Sequence, residues 1–143
     1  MRESPSSKEI AAILLIQWDQ AQSEKYRTLA RAALRCEPTP AMVFIYYTEV
    51  FAERFRVEWE IAQSDLNRWF AGVNLGHSPT WREAYEYYDG IYGTEFRMAW
   101  LIAQSSDNRW FAGEALHHCP TGKEAFEYLQ RVWANQSAEL ERV

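Results

Sequence analysis

The sequence predicts an α+β protein built from three tandem 41-residue repeats. Each repeat reads strand, hairpin, strand, helix, and together they form an antiparallel sheet with helices packed on one face. Three observations carry this prediction. Residues 55–88 match residues 96–129 without a gap, and 21 of those 34 positions are identical. Self-similarity at a fixed period sets the structural unit. Each unit opens on an alternating stretch, the period of a half-buried strand. Each also carries a threonine after a proline, a start signal for a helix.

A worn first copy lies 41 residues earlier. Trp18 stands where Trp59 and Trp100 stand, and Ala21-Gln22-Ser23 precedes Ala62-Gln63-Ser64 and Ala103-Gln104-Ser105. Arg27, Ala30, Leu34, Pro38, Thr39 and Tyr46 also have identical counterparts in both later copies. The expected organisation is a polar N-terminal tail and lead-in over 1–13, followed by a single repeat domain over 14–143. Its units cover about 14–54, 55–95 and 96–134, and a polar C-terminal tail follows. The polar start, Met1 to Ser7, reads as a loose tail and not as a signal peptide.

Within the second unit, Phe55, Val57, Trp59 and Ile61 alternate with Arg56, Glu58, Glu60 and Ala62. A helix would also gather Phe51, Phe55, Trp59 and Ala62, but it would place Arg54 and Glu58 inside the apolar arc. The strand is therefore preferred, and an all-α helical repeat is the alternative. Gln-Ser followed by Asp or Asn supplies turn chemistry leading to a second strand, Arg68–Leu75 or Arg109–Leu116. There Trp69, Ala71, Val73 and Leu75 share one face, and Arg68, Phe70 and Gly72 the other. Thr80 with Glu83, and Thr121 with Glu124, fit a capping box. Gly90 and Gly93 offer ends to the helix that follows Thr80. In the first copy Met42–Tyr47 is apolar all round, which implies burial on every side or an interface. Ser23–Arg35 has high helix propensity.

Composition narrows the function. The chain has 143 residues, 48% of them hydrophobic and seven of them Trp, enough for a real core. No run of about 18 apolar residues marks a membrane span. Two cysteines make no disulfide framework, which suits a reduced cytoplasmic setting. The net charge of −5 offers no basic stripe, so nucleic acid is an unfavoured partner. No nucleophile triad, phosphate loop or nucleotide fingerprint is present, so no enzyme activity and no cofactor are expected.

Residues present in every copy are the first site candidates. Trp18/Trp59/Trp100, Ala30/Ala71/Ala112 and Leu34/Leu75/Leu116 read as core. Arg27, Arg68 and Arg109 follow the turn. Their structural role would be a salt bridge to Glu58, Glu60 or a helix carboxylate. Their functional role would pair Arg68 with Phe70, and Arg109 with Phe111, to hold an anion or stack on a flat ring. Tyr88 and Tyr92 join them as partner-binding candidates, since aromatics with a polar tip suit binding surfaces. Where the second copy has Glu58 and Glu60, the third has Ala99 and Leu101, beside Phe111. A face that turns apolar in one unit is covered by the tail helix or buried against another chain. Cys36, His77 and His118 share one repeat position and carry zinc-ligand chemistry, but no CxxC or HExxH spacing accompanies them. No metal is assigned.

The hairpin-then-helix order, with Leu75-Gly76 leading to Thr80, Glu83-Ala84 and Tyr88-Asp89, loosely resembles phage-integrase arm-type DNA-binding domains. No functional residue carries over from that resemblance. The expected function is a non-catalytic interaction or regulatory protein, a homodimer that binds another protein through an aromatic-rich face. The alternatives are a module for a small anionic or nucleotide-like ligand and a nucleic-acid-binding repeat protein.

Overall fold

The computed structural model describes residues 6–141. The first five residues of the expected N-terminal tail and the last two of the C-terminal tail lie outside the described residues. Among the described residues there is no strand, so the α+β class and its antiparallel sheet are overturned and the all-α repeat stands. The resemblance to hairpin-containing DNA-binding domains falls with the hairpin.

Each repeat is three helices. The first is α1 (Ser7–Ala21), α2 (Glu24–Leu34) and α3 (Pro40–Val50). The second is α4 (Ala52–Ala62), α5 (Asp65–Leu75) and α6 (Trp81–Tyr88). A π-helical segment, Asp89–Gly93, precedes the third: α7 (Thr94–Ala103), α8 (Ser106–Leu116) and α9 (Gly122–Glu141). Gly90 and Gly93, expected to end a helix, lie in that π-helical segment.

The alternating stretch is helical because its two misfit charges are accommodated. Arg54 and Glu58 do fall on the buried side of α4. They lie one helical turn apart, with Nε and Oε2 3.3 Å from each other, so each offsets part of the other's desolvation. The Gln-Ser turn joins two helices instead of two strands. The Asn67 amide donates to the Ser64 hydroxyl (3.3 Å) and the Asn108 amide to the Ser105 hydroxyl (3.4 Å). Residues that favour hairpin turns are the same ones that cap helices.

The last helix of each repeat starts as its sequence requires. Thr80 N–H donates to Glu83 Oε1 (3.0 Å), and Glu83 N–H donates back to Thr80 Oγ1 (3.1 Å). Thr121 and Glu124 repeat both bonds at the same distances. Thr39 accepts from the Met42 amide, and Pro40 fills the first turn of α3. The middle helices all end in a left-handed residue: Arg35 (φ 57°), Gly76 (φ 81°) and His117 (φ 62°). Each donates its N–H to the carbonyl four residues back, on Arg31, Gly72 and Gly113.

The chain divides after Tyr88 into two compact units. The first holds α1–α6. There α1 packs on α2, α3 and α6, α3 packs on α2 and α4, and α6 packs on α4 and α5. One part of its core gathers Ala21, Tyr26, Ala30, Val43 and Tyr47, with Phe44, Tyr46 and Phe51 against it. Phe55, Trp59, Tyr85 and Tyr88 form the other part, joined by ring contacts. The second unit holds the π-helical segment and α7–α9. Phe96, Trp100, Ala99, Ala103, Phe126 and Leu129 make its core.

The repeated residues expected in the core divide by position. Ala30, Ala71 and Ala112 are fully buried, and Trp59 is buried. Trp18 is partly exposed, Trp100 is half-buried, and Leu34 and Leu75 lie at the surface. The apolar stretch Met42–Tyr47 in α3 is not buried all round, since Ile45 is exposed. No helix among the described residues is long and apolar enough to cross a membrane.

Candidate functional site

The repeated arginines are latches. Arg68 Nη1 donates to Gln63 Oε1 (2.7 Å) and Nη2 to the Pro79 carbonyl (2.6 Å), and the guanidinium lies over Trp81, 5.1 Å from the ring centroid. Arg109 does the same to Gln104 Oε1 (2.8 Å) and the Pro120 carbonyl (2.6 Å). Each latch ties the turn before the middle helix to the loop after it. The expected carboxylate partners, Glu58 and Glu60, are not the ones used. Arg27 differs: it reaches Glu37 at 3.5 Å, while Arg31 takes the closer bond to that carboxylate at 2.7 Å. Arg31 holds the Glu37 carboxyl below its ordinary value.

Tyr88, expected to bind a partner, belongs to the core. It is 1% exposed, and its hydroxyl donates to Glu58 Oε1 at 3.1 Å. Glu58 is itself 0% exposed. Arg54 completes this chain by donating Nη2 to the Tyr26 hydroxyl (2.8 Å) and stacking over Phe51. Its Nε faces Glu58 at ion-pair distance but without the alignment of a hydrogen bond. Two further polar links run from α1. Trp59 Nε1 donates to Glu9 Oε1 (2.8 Å), and Gln20 Nε2 donates to the Tyr85 hydroxyl (2.6 Å) while its Oε1 accepts from Tyr47. Burial pushes the Tyr47 phenol up, so it stays a donor.

The surface carries a different feature. Trp69 and Trp110 are each 62% exposed at the same repeat position, where an aromatic of this size usually finds a core. Each meets its neighbour edge to face: Trp69 and Phe70 at 5.0 Å between ring centroids, Trp110 and Phe111 at 5.1 Å. On α5 the exposed Leu66 and Val73 accompany them. Phe70 and Phe111 were legible as candidates. Trp69 and Trp110 were missed, because strand phasing put Trp69 on the face of the buried Ala71. A helical wheel separates the two by 200° and would have found them.

Of the expected interface residues, Leu101 is 74% exposed and Phe111 is exposed, whereas Ala99 packs on the core of the second unit. Tyr92 is half-exposed on the π-helical segment. The zinc reading finds no cluster: among the described residues no group of three or more potential ligands gathers. Cys36 is exposed. His77 lies 3.6 Å from Glu83, and His118 bonds Glu124 at 2.9 Å.

The seam between α1 and α4 holds a cleft of about 440 Å³ lined by Glu9, Ile13, Gln17, Phe55, Arg56 and Trp59. Compared with family models, curated proteins and solved structures, the chain matches none of them.

Proposed function

We propose that the chain is a non-catalytic interaction protein that grips a protein partner through the Trp69–Phe70 and Trp110–Phe111 pairs. The observation that carries this is the repeated exposure of a tryptophan beside a phenylalanine on the middle helices of two repeats. Rigid aromatics supply large contact area at small entropic cost and dominate binding hot spots. Arg68 and Arg109 hold these helices in place and leave the gripping to the rings. Two of the five donors on each guanidinium serve Gln63 and Pro79, or Gln104 and Pro120, which fixes these side chains to their own loops.

The test compares wild type with Trp69→Ala/Trp110→Ala in affinity enrichment read by quantitative mass spectrometry. Circular dichroism confirms that both are folded. At least one protein held by wild type should be lost from the variant, and its purified form should bind wild type at least tenfold more tightly. Identical bound sets, or equal affinities, would overturn the reading.

A further inference from the structure

Inside the first unit, one repeat covers the next: Glu9, Gln17, Asp19 and Gln20 of α1 lie against the second repeat. Gln20 bonds Tyr85, Asp19 pairs with Arg82 at 3.2 Å, and Glu9 accepts from Trp59. Covered in this way, Phe55 and Trp59 are only 3% exposed.

The same two surfaces recur elsewhere, uncovered. The receiving surface of the first repeat is Leu14, Trp18 and Phe44, which stand 41 residues before Phe55, Trp59 and Tyr85. Leu14 is 49% and Trp18 39% exposed. The covering stripe of the third repeat is Met98, Leu101 and Ile102, standing 82 residues after Ile16, Asp19 and Gln20. Met98 is 62% and Ile102 50% exposed, whereas Ile16 is 5% exposed. The tail helix α9 therefore does not cover this face.

The pairings also change in step. Gln20 meets Tyr85 within the chain; the corresponding pair of free surfaces is Ile102 and Phe44. Asp19 meets Arg82; the corresponding pair is Leu101 and Ala41. A polar pair inside the first unit is matched by an apolar pair on the two exposed surfaces. Glu95, at the position of Ile13, is the one charge in the third repeat's stripe.

We propose that a second copy of this chain occupies the Leu14/Trp18/Phe44 surface with its Met98/Leu101/Ile102 stripe, giving head-to-tail assembly. The contact is heterologous, so it repeats from copy to copy instead of closing at a two-fold pair. It uses α1, α3 and α7, apart from the aromatic pairs on α5 and α8. The Trp69→Ala/Trp110→Ala variant should therefore assemble as wild type does, whichever way its partner test comes out.

The test is sedimentation velocity on the full chain over a concentration series rising to about 1 mM, where even an interface with a dissociation constant of about 1 mM is populated. Wild type should rise beyond the mass of a dimer. Leu14→Asp alone and Ile102→Asp alone should each stay monomeric, because each keeps one live surface and loses the other. Mixed in equal amounts, they should form a heterodimer and stop there. Trp18→Asp and Met98→Asp form a second pair, used if either first variant loses its helical circular dichroism. A monomeric wild type, a single variant that still assembles, or a mixture that stays monomeric would overturn the proposal.

Discussion

Helices α4 and α7 occupy the same place in successive repeats and share Phe, Arg, Trp, Ile and Ala at matching positions, yet they solve burial in opposite ways. In α4, Arg54 and Glu58 go inside, pair with each other, and each bonds one tyrosine hydroxyl, Tyr26 and Tyr88. In α7 the matching residues are Glu95 and Ala99, with Leu129 at the place of Tyr88. Glu95 is at the surface, and Ala99 and Leu129 pack as ordinary apolar groups. One backbone plan thus supports a polar core and an apolar one. The polar core costs desolvation and gains its stability only when every member is present.

The largest effect should come from breaking that network. Arg54→Ala leaves Glu58 buried without its countercharge and should cost about 3–5 kcal/mol. Glu95→Ala, in the same register, should stay within about 0.5 kcal/mol. Urea unfolding of both variants checks the contrast, and equal losses would mean that the Arg54–Glu58 pair contributes little.

A smaller effect sharpens the comparison between the latches. Arg68→Ala removes charge-assisted bonds worth about 2 kcal/mol, together with the stack on Trp81. Arg109→Ala removes the same bonds, but Gly122 stands where Trp81 would be. The difference between the two variants should be about 0.5–1 kcal/mol, the usual worth of an exposed cation–π contact. Thermal unfolding of each against wild type measures it.

The smallest effect should be shared by both repeats. The Thr80 amide holds the Glu83 carboxyl below its ordinary 4.5. The Thr121 amide, then His118, do the same for Glu124. A lowered carboxyl stabilises the fold fully above its ordinary value and loses that contribution as pH falls through the lowered one. Wild type should therefore lose melting temperature between about pH 5 and 2 more steeply than Glu83→Gln/Glu124→Gln. Parallel slopes would show that the capping carboxylates do not matter to acid stability.

The repeat, its period and the capping boxes were legible because they are local: each is read within a few residues or by one shift of the chain. The helical nature of the first two segments was not. Arg54 and Glu58 argued against a helix only because their partners were invisible; Tyr26 lies 28 residues from Arg54 and Tyr88 lies 30 from Glu58. The strand phase then misplaced the outward-facing Trp69 on the face of the buried Ala71, while the surface role expected of Tyr88 rested only on its polar-tipped ring. Arg68 and Arg109 stand out in the sequence as repeated residues. One partner, a backbone carbonyl 11 residues on, carries no side-chain signature that a sequence displays; the other, Gln63 or Gln104, is itself a repeated residue.

The left-handed residues that end α2, α5 and α8 bear on how copies of a duplicated segment diverge. Glycine is the residue that accepts this geometry without strain, yet only Gly76 is one, and Arg35 and His117 hold the same turn. In the last two repeats the latch arginine fastens the loop from its far side; in the first, Arg27 and Arg31 converge on Glu37. A turn secured by its surroundings no longer depends on the residue at its apex. With the loop fastened this way the apex tolerates the modest cost of a side chain in the left-handed region, and two of the three copies carry one.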